Sequence, residues 1–170
     1  MGLLGMVLWF GWVESAIGGV VARIAPAGDA IELDIHTDIG VEKDVIPLYH
    51  SEEIRYFSAG IGQVEREATY PPFSLKLIFT AGGKSFVTGV AVTVRNAKGD
   101  AVLTIPAEHI NGPWLFMDLP EGTYEVTGML GGHVQAAKDI SVKPGKSITR
   151  HLRWVEDRSP PSDVRPESGP

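Results

Sequence analysis

This 170-residue sequence contains no cysteine, which excludes disulfides, iron–sulfur clusters, thiolate zinc sites and cysteine nucleophiles. Basic residues are also scarce, with 15 Lys and Arg against 21 Asp and Glu, so the net charge is −6. Binding to nucleic acid requires clustered Lys and Arg opposite phosphates, and the sequence therefore predicts no nucleic-acid partner. Complete phosphate loops, helical zinc motifs and nucleophile elbows are missing too. We accordingly expect no cofactor, no metal site and no enzymatic activity.

The sequence does have a 44 % hydrophobic composition with 20 Gly and 12 Pro. This composition is too apolar for a disordered chain, and the length suits one domain. Residues 156–170 are an exception, because they hold four of the prolines and no aromatic residue. We predict that they form a disordered tail, since they cannot bury enough apolar area to offset the entropy of ordering.

The first residues have the pattern of an export signal. Residues 3–13 are apolar, Glu14 closes the stretch, and the small residues Ala25-Pro26-Ala27 follow. An apolar region followed by A-x-A predicts a signal peptide, residues 1–27, and a periplasmic or secreted protein. A stable membrane span is disfavoured, because Glu14 near its centre would cost about 2.5 kcal/mol or more. The remaining alternative is a buried strand or helix of the domain itself.

Residues 73–155 have the alternating pattern of β-strands. Phe73, Leu75, Leu77 and Phe79 alternate with more polar residues, and turn signals such as Asn96-Ala97-Lys98-Gly99-Asp100 recur about every ten residues. Seven short strands at this spacing predict a β-sandwich or a barrel, and we take an antiparallel sandwich as the expected fold. Residues 28–72 are less regular, and between positions 31 and 70 they carry nine acids against three bases. We expect them to form an irregular acidic lead-in that packs on the sandwich, with one strand from Ile31 to Ile35 and a short helix over residues 63–69.

One stretch resembles a known family. Residues 112–126 read GPWLFMDLPEGTYEV, and the L-P-x-G-x-Y segment resembles the hallmark of carboxypeptidase regulatory-like domains. The resemblance extends over roughly residues 56–154 and includes small secreted proteobacterial proteins that carry such a domain. It implies a seven-stranded transthyretin-like or immunoglobulin-like sandwich. In this interpretation Leu119 plugs the end of the sandwich, Gly122 permits a sharp turn, and Tyr124 is buried with its hydroxyl bonded at the rim.

The most informative stretch for function is Trp114-Leu115-Phe116-Met117. Alternation sends Trp114 and Phe116 to one face and the other two residues to the opposite face, so both faces of this strand are apolar. Either residues 28–72 cover the outer face, or that face is a binding patch for a partner. We name Trp114, Phe116 and Trp154 as candidate binding residues. The five histidines, which have no ligand spacing, are interpreted as solvated surface residues.

These observations predict a non-catalytic module that binds or supports an unknown protein or component of the cell envelope. The alternative is a carbohydrate-binding β-sandwich whose exposed aromatic rings stack on sugars. Trp114 or Trp154 exposed and coplanar with another ring would favour that alternative.

Overall fold

The computed structural model describes residues 20–83 and 85–155. The predicted tail, residues 156–170, and most of the predicted signal peptide, residues 1–19, lie outside this range. The described chain forms one short α-helix, α1 (Gln63–Glu67), a 3-10 turn (Ala107–His109) and thirteen strands. The strands are β1 (Val21–Ile24), β2 (Ala30–Thr37), β3 (Gly40–Pro47), β4 (Tyr49–Ser51), β5 (Ile54–Ala59), β6 (Leu75–Ala81), β7 (Ser85–Phe86), β8 (Ala91–Asn96), β9 (Ala101–Ile105), β10 (Trp114–Asp118), β11 (Gly122–Leu130), β12 (His133–Val142) and β13 (Ile148–Trp154). The prediction of a mostly β protein is thereby confirmed.

The strands are arranged in three sheets. A large sheet has the order β13-β6-β10-β5-β4, with β7 paired to β6, and a four-stranded sheet has the order β12-β11-β8-β9. A small sheet, β1-β2-β3, is separate from both. The large and four-stranded sheets share one cluster of buried side chains, which we call the inner core. Its fully buried members include Leu77, Phe79, Leu115, Met117, Val92, Val126 and Ile140.

A second cluster, the outer core, lies on the other face of the large sheet. The small sheet supplies Ile31, Leu33 and Ile46 to it, and β5 and β10 supply aromatic rings. Backbone bonds tie β1 to the segment after α1, where Ala22 N donates to Thr69 O at 2.9 Å. The residues before position 72 therefore cover part of the outer face of the large sheet.

The turn between β10 and β11 has two of the three features that its sequence implies, the exception being Gly122, which is the first residue of β11 and has no positive φ. Leu119 is buried in the inner core, and the Tyr124 hydroxyl donates to the carbonyl of Pro120 at 2.9 Å. Ser74 Oγ accepts a hydrogen bond from Leu119 N at 2.7 Å, which fixes the end of β10 against the start of β6. The Tyr124 hydroxyl and the Ser74 hydroxyl at this corner thus have partners, as burial requires.

Two sequence expectations about the sheets need correction. Residues 28–72 are not irregular, because they form strands, and β4 and β5 belong to the large sheet. Strand β5 is buried on both faces, so it lacks the polar alternation that marks a half-solvated strand. The sheets are also not purely antiparallel, since β13 pairs with β6 in parallel, Ile148 opposite Leu75. The chain reaches β13 from β12 in the other sheet, and such a crossover permits parallel pairing.

The predicted helix exists but is shorter than residues 63–69. It ends at Glu67, and Ala68 is already extended with ψ 140°. The following Tyr70-Pro71-Pro72 segment disfavours helical conformation before each proline. At the other end the Glu65 carboxylate accepts a hydrogen bond from Gly60 N at 2.6 Å, which satisfies a backbone donor ahead of the first turn. The helix therefore links β5 to the outer core.

Candidate functional site

Strand β10 crosses the centre of the large sheet and contributes to both cores. Leu115 and Met117 are fully buried in the inner core, whereas Trp114 and Phe116 point to the outer face. The predicted division of this strand between two apolar faces is confirmed. The candidate site is therefore built on the outer face, around Trp114.

Phe116 is a core residue with only 7 % of its surface exposed. It stacks on Phe57, directly opposite on β5, with ring centroids 4.6 Å apart and an interplanar angle of 4°. Ile46 and Leu48 belong to the same cluster. Of the two alternatives for this face, cover by the preceding segment is the one found at Phe116, so its ring is not available as a surface platform.

Trp154 lies in the inner core, away from Trp114 and Phe116. It is 4 % exposed, packs against Phe79, and its Nε1 donates to the His133 carbonyl at 2.9 Å. That bond joins the large sheet to β12 of the facing sheet. The structure thus brings Trp114 and Phe116 together and places the third candidate residue in a structural role.

Trp114 is half-buried, and two residues, Gly60 and Lys76, lie close to its indole. Gly60, with φ +98°, lies against one part of the ring, and a Cβ built there would be 3.0 Å from Trp114 Cδ2. The Lys76 ammonium lies 3.5 Å from the ring centroid. The Lys76 ammonium therefore lies over the ring surface on which a sugar would have to stack. The indole Nε1 is buried and has no hydrogen-bond partner among the described residues.

Lys76 is the residue that sequence analysis missed. Its Nζ lies over the rings of Trp114 and Phe116, 3.5 and 5.0 Å from their centroids, in a cation–π arrangement. Burial lowers the pKa of the Lys76 ammonium from its ordinary value of 10.5. Within residues 20–83 and 85–155, no carboxylate lies within ion-pair distance of it. A partly desolvated cation with only aromatic partners is chemically suited to receive an anion.

A groove of about 240 Å³ opens beside Lys76. Its walls include Tyr70, Pro71, Phe73 and Phe116 on one side and Thr149 of β13 on the other. The Tyr70 hydroxyl donates to the Glu65 carbonyl at 2.9 Å, and burial, then the charges of Glu65 and Asp44, raise its pKa. Tyr70 therefore remains neutral, and Lys76 is the one cation among the described residues that line the groove. The groove can hold an apolar chain that carries a negative group.

One histidine departs from the expected surface role. His109 stacks on Tyr49 with centroids 3.9 Å apart, and its Nδ1 hydrogen-bonds with the Tyr56 hydroxyl at 3.0 Å. The other four histidines, His36, His50, His133 and His151, are exposed. Among the described residues no group of three or more His, Asp or Glu is placed to hold a metal ion. His109 thus holds the 3-10 turn against β4 and β5.

A helix needs about 20 apolar residues to span a bilayer. The α-helix of the described chain has five residues, and no helix in the described part is long and apolar enough to span a bilayer.

Comparison with protein-family models, with curated proteins and with solved structures finds no match to this chain. The class that fold and site define is a mostly β protein with an aromatic, lysine-containing groove on the outer face of its large sheet.

Proposed function

We propose that this chain is a non-catalytic binding module that takes an anionic, extended segment of a partner into the groove at Lys76. One observation carries the proposal: the Lys76 ammonium is partly desolvated on two aromatic rings and has no carboxylate partner in the described chain. Removing a cation from water without a counter-charge costs free energy, which a bound carboxylate would recover. The partner is a protein or another acidic component of the cell envelope.

The proposal includes the carboxypeptidase regulatory-like sandwich. What supports it is the L-P-x-G-x-Y segment with its bonded Tyr124 hydroxyl, together with the two facing sheets that share the inner core. Seven strands after residue 73, β6 and β8 to β13, supply the number that the resemblance implies if the two-residue β7 is set aside. The parallel pairing of β13 with β6 is a departure from an all-antiparallel sandwich.

Export to the periplasm or beyond is also part of the proposal, and it rests on the apolar segment at residues 3–13. Within this proposal we place the cleavage ahead of β1 rather than after Ala27. Cleavage after Ala27 would remove β1, which pairs with β2 over four residues and buries Ala22. Processing ahead of Val20 would leave the small sheet complete. We therefore propose that the mature chain retains β1.

The test compares two short peptides that differ in charge. The N-acetylated tetrapeptide of glutamate is titrated into the full chain and followed by backbone and indole amide chemical shifts, and the tetrapeptide of glutamine serves as the neutral probe. We expect the glutamate peptide alone to shift Thr149 and the Trp114 indole. Lys76→Met keeps the length and apolar packing of the side chain, and it should weaken that binding about tenfold, as loss of a hydrogen bond to a charged group does.

Lys98→Met, in an exposed turn far from the groove, is the matched control and should bind as the wild type does. Equal shifts with the two peptides would show that the groove does not recognise charge. Unchanged affinity in Lys76→Met would remove Lys76 from the site. Either result contradicts the proposed function.

A further inference from the structure

Strand β13 is an edge of the large sheet with an unpaired row of backbone groups. Among the described strands it pairs only with β6, and Ile148 N donates to Ser74 O at 3.0 Å. In a parallel ladder alternate residues bond the same neighbour, so the N–H and C=O groups of Thr149, His151 and Arg153 point away from β6. No described strand pairs with them, although Thr149 O accepts a bond from Arg150 Nη1. Such an edge is a template for another strand.

The charges along this edge are all of one sign. Residues 143–154 contain Lys143, Lys146, Arg150 and Arg153 and no acid, although the whole chain has a net charge of −6. Two copies of β13 therefore repel each other, because pairing would bring two basic strands side by side. An acidic strand is attracted instead. The charge pattern thus disfavours pairing between two copies of β13 and favours pairing of β13 with an acidic strand.

The molecule carries an edge of the opposite sign on the small sheet. The β2–β3 hairpin, residues 30–47, has five acids and one lysine. Within the part of the chain that the structure describes, β3 pairs only with β2, and the bond from Leu48 N to Asp29 O fixes which residues face β2. By alternation, the backbone groups of Val41, Lys43 and Val45 face outward. Val45 N is already bonded to Asp44 Oδ1, so the open part of this edge is the end nearest the hairpin tip.

The hairpin tip also exposes apolar side chains. Ile39 is 92 % and Val41 is 55 % exposed, and the neighbouring Asp38 and Glu42 form no ion pair within the described residues. Exposed apolar residues flanked by unpaired acids are suited to a surface that is basic and has free backbone donors. Strand β13 offers such a surface.

We propose that β3 of one copy of this chain pairs with β13 of a second copy, so that the chain associates head to tail. The two edges belong to different surfaces, and each joined pair leaves one free edge of each kind, which permits further addition. Thr149 of β13 also lines the groove at Lys76, but the charged residues that carry the two proposals, Lys76 in the groove and Arg150 and Arg153 on the edge, are different. The two proposals can therefore fail independently.

The test is sedimentation velocity of the full chain over a range of concentrations, at low and at high salt. We expect the average mass to rise with concentration at low salt and to return toward the monomer mass at high salt, because exposed charges are screened. Two double variants then reverse the charge of one edge each: Arg150→Glu with Arg153→Glu, and Asp38→Lys with Glu42→Lys. Each should weaken association at least about tenfold, because like charges then face each other.

An equimolar mixture of the two variants should regain association, since every acidic edge again meets a basic one. The matched control, Arg95→Glu with Lys98→Glu, changes the net charge as the first variant does but at the β8–β9 turn, and it should associate as the wild type does. A wild-type chain that remains monomeric at every concentration overturns the proposal, even if β13 binds an added acidic peptide. Association that both charge-reversed variants retain overturns it as well. Circular dichroism checks that each variant is folded.

Discussion

The two faces of the large sheet are buried in different ways. The inner face meets a complete four-stranded sheet, and its core consists mostly of aliphatic side chains at 0–4 % exposure, such as Leu115 and Val126. The outer face meets a three-stranded sheet that covers only part of it, and its core is rich in aromatic rings, such as Phe57 and Phe116. The outer face therefore has a covered part and an uncovered part, and the groove at Lys76 lies where the two parts meet.

The difference indicates that the two cores stabilise different parts of the molecule. Aliphatic packing between two sheets fixes the fold, because each side chain there is enclosed on every side. The outer core fixes the small sheet and α1, which contact the large sheet mainly through side chains and few backbone bonds. Elements held in this way can open without global unfolding. The predictions below test whether the two cores are separable and what each contributes.

The largest effect is expected from Leu115→Ala, with Phe116→Ala as its neighbour on the other face of β10. We expect Leu115→Ala to lower the free energy of unfolding by about 2–5 kcal/mol, because it leaves a cavity in an enclosed core. In native-state hydrogen exchange it should accelerate the most protected amides of both facing sheets.

Phe116→Ala should instead accelerate exchange chiefly in β1, β2 and β3, because it removes the ring on which the small sheet rests. Chemical denaturation gives the free energies, and exchange gives their distribution over the chain. If both substitutions accelerate exchange uniformly over the chain, the inner and outer cores unfold as one unit and are not separable.

The second prediction removes β1 from the small sheet. A chain that begins at residue 28 lacks the β1–β2 ladder, the buried Ala22, and the contacts of Arg23 with Glu32 and Asp34. We expect it to be about 1–3 kcal/mol less stable than a chain that begins at residue 20. Thermal unfolding of the two chains measures the difference. Equal stability would restore Ala27 as an acceptable processing site.

The inner core could be predicted from sequence better than the outer one. Strand β6 alternates in sequence as it does in burial, and the β8–β9 turn has the predicted structure, with Gly99 at φ +89° and Asn96 Oδ1 accepting from Lys98 N at 2.9 Å. In these elements a local pattern suffices, because one face is buried and the other is not. Strand β5, buried on both faces, has no such pattern.

The candidate site could be predicted only in part. Alternation along β10 placed Trp114 and Phe116 on one face, but the binding role named for Trp154 had no comparable local support. Lys76 was missed because its place opposite Phe116, forty positions further along the chain, depends on the register between β6 and β10. Register across such a distance is set by the packing of the whole sheet rather than by any local segment.

The third prediction concerns the glycine behind Trp114. Gly60→Ala introduces a Cβ 3.0 Å from the indole at a backbone φ of +98°. We expect a loss of about 1–3 kcal/mol from backbone strain, together with a shift of the indole that changes Trp114 fluorescence and weakens the contact with Lys76. Gly145→Ala is the matched control, because Gly145 has φ +67° and open space around it. If both substitutions cost the same and neither alters the indole, contact at Gly60 does not position Trp114.

The smallest effect is a pH dependence that belongs to Lys76. Because burial lowers the pKa of this ammonium in the folded chain below its ordinary value of 10.5, the unfolded chain binds more protons in the interval between the two values. The free energy of unfolding therefore rises with pH across that interval and levels off above 10.5. Burial raises the pKa of Tyr56, Tyr70 and Tyr124, which has the opposite effect at higher pH. Those tyrosines are common to the wild type and Lys76→Met, so their contribution cancels in the difference between the two proteins.

Denaturation of both proteins from neutral pH to pH about 10.5 should show the wild type gaining stability relative to Lys76→Met, with Lys98→Met as the exposed control. A difference that stays flat or falls with pH would mean that the ammonium is fully hydrated on the outer face. The partial cover of that face by the small sheet would then have no effect on the pKa of Lys76.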